Sequence, residues 1–421
     1  MKNIKYGHID LFAGCGGLSL GLELAGFTPL FVNEINPDAL SSYLINRQDH
    51  YPWLKEKEFH CYDVKELVNK KRIAKLKKNI LDKFHIDINK GDLPLIVGGP
   101  PCQGFSGIGH RRSYSVEKEK LPSNHLYQDM AWIINELKPK IFLFENVKGL
   151  LNAKWNKDGK NGEVWNDVLA TFKNILDYTV EFSLVHAKNY GVSQNRPRVL
   201  LVGIRNDINK KIPKNSSIAN GYLPSPTFNA PDLSELLGDI LDPAYSNGSS
   251  TKKYPKQAKT DIQKWYRTMR DGNIAQKNAP VTEHDYSKHS DNVLNKFNHM
   301  ISNNGEISSI HKTKKFSQKL LPAKWNDKGP TITATSLPDD YVHYSQPRIL
   351  TVREWARLQS FPDWYQFAGS RTTGGIRRAG NPRAGIFERE LPKYTQIGNA
   401  VPVKLGESIG YHFIKILKNV K

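Results

Sequence analysis

Ile9-Asp10-Leu11-Phe12-Ala13-Gly14-Cys15-Gly16-Gly17-Leu18 is the stretch on which the fold turns. Ile9 to Phe12 suit a buried strand, Ala13 to Gly17 form a glycine-rich turn, and Leu18, Leu22 and Ala25 then recur at helical spacing. A strand, a glycine turn and a helix N-terminus together open a nucleotide-binding α/β unit, because such a turn lets a ligand approach the backbone closely.

The next two strands support that reading. Phe31-Val32-Asn33-Glu34 ends in an acid about 20 residues on, the spacing at which a carboxylate can accept hydrogen bonds from a ribose. His60-Cys61-Tyr62-Asp63-Val64 places a second acid after another short strand. The glycines, Glu34 and Asp63 in this order predict an adenosine-containing cofactor. Gly14, Gly16 and Gly17 do not follow the G-x-G-x-x-G spacing, which weighs against a nicotinamide cofactor. S-adenosylmethionine remains, since its sulfonium carries no pyrophosphate for a helix N-terminus to hold. Asn69 to Lys90 reads as a solvated basic helix with one packed face, Ile73, Leu76, Ile80 and Leu81 among the lysines.

Leu93-Pro94-Leu95-Ile96-Val97 is a short apolar run that leads into Gly98-Gly99-Pro100-Pro101-Cys102-Gln103-Gly104-Phe105-Ser106. A lone cysteine is ordinarily a small buried hydrophobe. Directly after Pro-Pro on a strand exit, Cys102 can instead be a nucleophile held rigidly at the mouth of a site. The segment continues, glycine-rich and basic, through His110, Arg111 and Arg112 to Asn124, and its length suits a mobile lid. Ile141-Phe142-Leu143-Phe144 is a further apolar strand that ends in Glu145-Asn146-Val147. Residues past the carboxyl ends of parallel strands line the ligand crevice, so Glu145 and Cys102 are expected to share one cleft. Gln194-Asn195-Arg196-Pro197-Arg198 precedes the strand Val199 to Ile204, and two arginines flanking a proline are fixed donors for a carbonyl oxygen or a phosphate.

The 421 residues carry a net charge of +20 and include 18 Tyr, 17 Phe and 8 Trp. These totals fit a folded protein with a polyanionic partner, most often nucleic acid. No apolar run approaches the roughly 20 residues of a membrane span, and Met1 to Lys5 lack the apolar core of a signal peptide. Three cysteines, Cys15, Cys61 and Cys102, give neither a disulfide framework nor a zinc spacing, so a cytoplasmic setting without a metal is expected. From Asn206 the α/β periodicity fades until about Gln346, and between Lys252 and Lys328 basic residues mix with Tyr254, Trp265, Phe297 and Trp325. That composition suits an inserted DNA-contacting domain. Thr351-Val352-Arg353-Glu354 is a capping box, with Leu350 and Trp355 placed as a hydrophobic staple. Arg371 to Lys393 is rich in Gly and Arg, and Gln396-Ile397-Gly398-Asn399-Ala400-Val401-Pro402 precedes an apolar-periodic C-terminal helix.

In this order the pieces resemble the cytosine-C5 DNA methyltransferase family of the bacterial restriction–modification type. The resemblance rests on Asp10 to Gly17, Gly99 to Ser106, Glu145 to Val147, Gln194 to Arg198, Arg353 to Pro362 and Gln396 to Pro402. It implies an α/β fold: a Rossmann-like S-adenosylmethionine-dependent methyltransferase domain with a mostly parallel sheet, plus a smaller inserted target-recognition domain. The catalytic and cofactor-binding domain is expected over residues 1–205, completed by 394–421. The target-recognition domain is expected over 206–346, and a helix and basic hinge segment over 347–393.

The implied chemistry is addition of the Cys102 thiolate to C6 of a flipped cytosine, with Glu145 at N3 and Arg198 at O2. Arg196 is expected to help organise Cys102 and the closed loop. The implied cofactor residues are Phe12, Gly14 and Cys15 at the methionine part, Glu34 at the ribose, and Asp63 and Val64 at the adenine. Pro101, Leu126, Asn399 and Val401 complete that pocket, and Cys15 is assigned packing rather than reactivity. DNA contacts are expected from Gln103, Ser106, Arg111, Arg112, Arg371, Arg377 and Arg378. The implied partners are double-stranded DNA and a cognate restriction endonuclease, with the enzyme itself a monomer. A tRNA-cytosine transferase and a DNA-binding protein without catalysis are the alternatives. The sizeable recognition region disfavours the first, and the intact Cys102, Glu145, Arg196 and Arg198 disfavour the second.

Overall fold

The computed structural model describes residues 4–101, 122–212, 222–226, 229–311, 318–326, 329–332, 338–372 and 390–418. Among them, one sheet contains β1 (Gly7–Leu11), β2 (Thr28–Asn33), β3 (His60–Cys61), β4 (Leu95–Gly98), β5 (Ile141–Val147), β6 (Tyr178–His186) and β7 (Pro197–Arg205). Their spatial order is β3-β2-β1-β4-β5-β7-β6. Strands β1 to β5 run parallel, and β7 is antiparallel to both β5 and β6. The connections run outward in opposite directions from β1 and β4, so a crevice opens beyond the carboxyl ends of those two strands.

The helices are α1 (Gly17–Ala25), α2 (Pro37–Ile45), α3 (Lys70–Phe84), α4 (Leu126–Leu137), α5 (Glu163–Lys173) and α6 (Asn206–Asn209). After them come α7 (Leu233–Leu237), α8 (Asp261–Arg267), α9 (Asp291–Ser302), α10 (Val352–Leu358), α11 (Lys393–Asn399) and α12 (Val403–Lys418). Two short strands, β8 (Lys319–Leu320) and β9 (Tyr341–Val342), pair in parallel outside the main sheet.

Apolar runs in the strands bury both faces of the sheet, as a helix-covered parallel sheet requires. Side chains alternate between faces. Ile96, Phe142, Phe144 and Leu201 pack with Ile80, Ile134 and Phe172 from α3, α4 and α5. Leu95, Val97, Leu143 and Leu200 pack on the other side with Leu22 of α1 and Leu405, Ile409 and Phe413 of α12. The C-terminal helix thus packs on the sheet beside α1. Helix α3 carries the expected basic face, with Asn69 capping its first turn, but Leu81 is turned to solvent and Phe84 takes its place in the core. Strand β3 is only two residues long, because Asp63 leaves it to cap the short helical turn Val64–Leu67. Among the described residues no helix is long and apolar enough to cross a membrane.

A second core joins Leu233, Leu236, Tyr254, Tyr266 and Val281 to Val352, Trp355, Leu358 and Tyr394. Helix α10 is buried on every face, so its charged residues need partners. Glu354 closes the expected capping box and also receives Arg348 through two hydrogen bonds of 2.7 Å. Arg357 lies between Asp239 and Asp363, and Arg267 adds a second cation to Asp239 at 2.6 Å.

Helices α1 and α12 cross at glycines. A Cβ at Gly21 would sit 2.3 Å from the Val403 carbonyl oxygen, and one at Gly410 would sit 2.6 Å from Ala25 Cβ. Alanine at position 21 improves helix propensity by about 1 kcal/mol, yet here it overpacks backbone against backbone. Gly21→Ala should therefore lower unfolding stability by about 1–3 kcal/mol in urea titrations; an unchanged or raised midpoint would contradict this crossing.

Candidate active site

The first five strands point their carboxyl ends at one edge of the sheet. Strand β7 runs the other way, so its amino-terminal end reaches that same edge. The register pairs Val147 with Arg198 and Glu145 with Leu200. Arg198 Nε lies 2.7 Å from Glu145 Oε1, with both side chains largely buried. Burial, joined for Arg196 by the neighbouring Arg198 cation, pushes both guanidiniums below the usual arginine range, and Glu145 opposes that shift on each. The other carboxylate oxygen of Glu145 would stand 2.8 Å from a Cβ on Gly99, so only glycine fits there without displacing it. Asn146 Nδ2 donates to the Pro100 carbonyl at 3.0 Å and fixes the start of the Pro-Pro segment. Pro101 is exposed at the crevice rim. Cys102, Gln103, Ser106, Arg111, Arg112, Arg377 and Arg378 lie outside the described residues.

Arg196 is fully buried. Its guanidinium donates to the Ile332 carbonyl and, at 2.7 and 2.8 Å, to the carbonyls of Gly398 and Ala400. The Gly398 and Ala400 carbonyls stand at the C-terminal end of α11, where a cation is favoured. Arg371 donates to Ser287 Oγ at 2.8 Å.

On the other side of the crevice, Glu34 accepts from the backbone N–H of Gly14 and of Asn36, each at 2.8 Å. Burial pushes its carboxyl above the usual carboxylate range, against the pull of those two donors. Phe12 and Gly14 both have positive φ, 57° and 56°, and nothing lies within 4 Å of where a Cβ on Gly14 would be. Asp63 keeps a half-exposed carboxylate, one oxygen of which caps Lys65 N–H at 2.9 Å. Val64 packs into the sheet core and Val401 into the core under α12, which leaves their backbones for a ligand. Leu126 opens α4 half-buried, and Asn399 ends α11 exposed.

Cys15 is buried with its Sγ donating to the Gln396 carbonyl, and burial pushes the thiols of Cys15 and Cys61 up to about 12. Packing is its role, so any ligand contact at this position comes from the backbone.

Three residues here were not singled out from sequence. Asn33 Nδ2 donates to the Tyr62 carbonyl at 2.8 Å while its Oδ1 accepts from Phe12 N–H, which ties the glycine turn to the end of β3. Ile35 is 70% exposed and Tyr62 49% exposed, so the rim beside Glu34 and Asp63 is apolar. An apolar rim beside carboxylates, over an open glycine turn, fits an aromatic ring attached to a hydroxylated sugar.

The sequence profile of C-5 cytosine-specific DNA methylases matches residues 6–415, and the chain belongs to that family. It is therefore a cytosine-C5 DNA methyltransferase, a transferase. It is 29% identical over 432 residues to the type II methyltransferase M.DdeI of Desulfomicrobium norvegicum, covering 98% of this chain and 89% of that one. Against the type II methyltransferase M.BspRI of Lysinibacillus sphaericus it is 29% identical over 422 residues, covering 97% and 81%. A crystal structure described as a DNA modification methyltransferase encoded within an E. coli prophage superposes with a TM-score of 0.65 at 25% identity, covering 98% of this chain and 99% of that one.

With Cys15 and Cys61 protonated and buried, a Cys102→Ser chain should take up a thiol reagent at pH 8 at least about tenfold more slowly when native than when unfolded. Equal native and unfolded rates would contradict the burial of these two thiols.

Proposed function

We propose that this enzyme flips a target cytosine out of duplex DNA and methylates C5 through a covalent adduct between Cys102 and C6. The Glu145–Arg198 pair beside the Gly99-Pro100 segment supports this reading, because it sets an acid and a fixed donor next to the chain that continues into Cys102. The ring atoms of a stacked cytosine cannot be reached, so the base leaves the duplex first. Glu145 then holds or protonates N3, while the Arg198 guanidinium donates to O2. Both interactions draw electron density from the ring and make C6 electrophilic.

The Cys102 thiolate adds to C6, and the C5–C6 π pair shifts onto C5, which becomes the nucleophile. S-adenosylmethionine, when bound, supplies a methyl group activated by its sulfonium. Loss of the C5 proton returns an electron pair to the C5–C6 bond and expels Cys102 as thiolate. For the cofactor, Glu34 would hold the ribose hydroxyls, and Ile35, Tyr62, Leu126, Asp63 and the Val64 backbone would hold the adenine. Phe12, Gly14, Cys15, Pro101, Asn399 and Val401 would surround the methionine part.

The net charge of +20 supports duplex DNA as the partner. Residues 206–346 serve as the target-recognition domain, and DNA contacts come from Gln103, Ser106, Arg111, Arg112, Arg371, Arg377 and Arg378. Its similarity to type II methyltransferases favours a place in a cytoplasmic restriction–modification system, as a monomer beside an endonuclease for the same site.

Purified protein, labelled S-adenosylmethionine and duplex DNA, followed by bisulfite sequencing, should show methylation at one cytosine within a recurring sequence. Label in RNA alone, or in neither polymer, would contradict this function. Cys102→Ser should abolish transfer and keep duplex affinity within about threefold, and Glu145→Gln should slow transfer by about 10²–10⁴-fold. Wild-type turnover in either variant would overturn the role given to that residue.

A further inference from the structure

Between the recognition segment and the cofactor-side loop, Arg196 belongs to a buried polar cluster whose two glutamines, Gln194 and Gln359, have no part in the methylation steps. Gln194, Arg196 and Gln359 are each fully buried. Gln194 Oε1 accepts from Ile332 N–H at 3.0 Å, and its Nε2 donates to the Leu358 carbonyl and, at 2.8 Å, to Gln359 Oε1. Gln359 Nε2 donates in turn to the carbonyls of Ile397 at 2.8 Å and Ala400 at 3.0 Å. Arg196 takes the Ile332 carbonyl with one nitrogen and the Gly398 and Ala400 carbonyls with another. Asn195 adds a backbone bond to the Pro330 carbonyl at 3.0 Å, and Thr331 Oγ1 donates to the Asn195 carbonyl at 2.8 Å.

Arg196 therefore bonds residues 332, 398 and 400 directly, while Gln194 holds residue 332, Gln359 holds residues 397 and 400, and the two glutamines are joined to each other. The 397–401 loop presses on the glycine turn, since a Cβ on Gly17 would sit 2.3 Å from the Val401 carbonyl oxygen. No solvent reaches these side chains to replace a broken bond, so displacing the 330–332 segment or the 397–401 loop alone leaves buried amide and guanidinium groups unsatisfied. The clamp also has spare donor capacity, because Arg196 Nε is buried without a partner among the described residues.

We propose that Gln194 and Gln359, acting with Arg196, are positioning residues that couple cofactor occupancy at the 397–401 loop to DNA occupancy at the 330–332 segment. This coupling rests on the cofactor and DNA sites proposed above. Coupling free energy is reciprocal: whatever factor DNA adds to cofactor affinity, the cofactor adds to DNA affinity.

The test measures S-adenosylhomocysteine binding by calorimetry, with and without a duplex carrying the cytosine site read by bisulfite sequencing. In the wild type the duplex should tighten S-adenosylhomocysteine by about tenfold, within the usual range for coupled sites. Gln359→Met keeps the side-chain length and removes the amide, and should reduce that factor to about twofold or less, with a smaller change in binding of each ligand alone. Gln194→Glu can still accept from Ile332 but cannot donate to residue 359, and should show the same loss. Hydrogen exchange in the wild type needs no variant: S-adenosylhomocysteine alone should slow exchange of the Ile332 amide by about fivefold or more. Coupling that is absent from the wild type, or retained in both folded variants, or an Ile332 amide indifferent to S-adenosylhomocysteine, would overturn the proposal. A wild type that binds no S-adenosylhomocysteine would instead overturn the cofactor site itself.

Discussion

The antiparallel pairing of β7 with β5 is the constraint on which the crevice depends. The other strands beside the cleft bring only their carboxyl ends to it. Because β7 runs against them, Arg198 at its start comes opposite Val147, within 2.7 Å of Glu145. A one-residue slip in this register would turn Arg198 to the opposite face of the sheet and leave Glu145 without its cation. The same strand then continues through a fully buried run, Val199 to Ile204, so the core pins the register far more firmly than the ion pair could. Here packing sets the geometry, and the charges inherit it.

The rest of the molecule holds that edge in place from a distance. Glycines let α12 lie directly on α1, which brings the end of the chain against the first turn. Helix α10 lies within the second core, with each buried arginine matched to a carboxylate or a row of carbonyls. Such pairs contribute little net stability over apolar packing, but removing one partner is costly. They tie α10 to Asp239 and Asp363 within that core.

Much of this was legible in the sequence, and the reasons for the remainder are physical. The strand–turn–helix at Ile9–Leu18 and the acids Glu34 and Asp63 follow from local pattern and spacing. The placement of Glu145 at the crevice follows from the rule that parallel sheets bind ligands at their carboxyl ends. The direction of β7 does not, because an apolar run reads the same either way. Ile35 and Tyr62 were missed since an exposed apolar residue just past a strand leaves no periodic signal. The partners of Arg196 come from residues 332, 398 and 400, and only the folded chain brings these together. The spacing of Gly17 and Gly21 against Gly406 and Gly410 was visible, but a pair of glycines four residues apart has no meaning until the two helices cross.

In the proposed mechanism Arg198 and Glu145 prepare a cytosine for attack, and its central step is the bond between Cys102 and C6. A duplex with 5-fluorocytosine at the target position tests it directly, because fluorine at C5 cannot leave as the proton does and the adduct cannot collapse. With S-adenosylmethionine present, mass spectrometry of the digested complex should find the methylated fluorinated nucleotide attached to the peptide bearing Cys102. A target cytosine that is methylated in ordinary duplex while the fluorinated duplex yields no covalent complex, or yields one at another residue, would contradict the account.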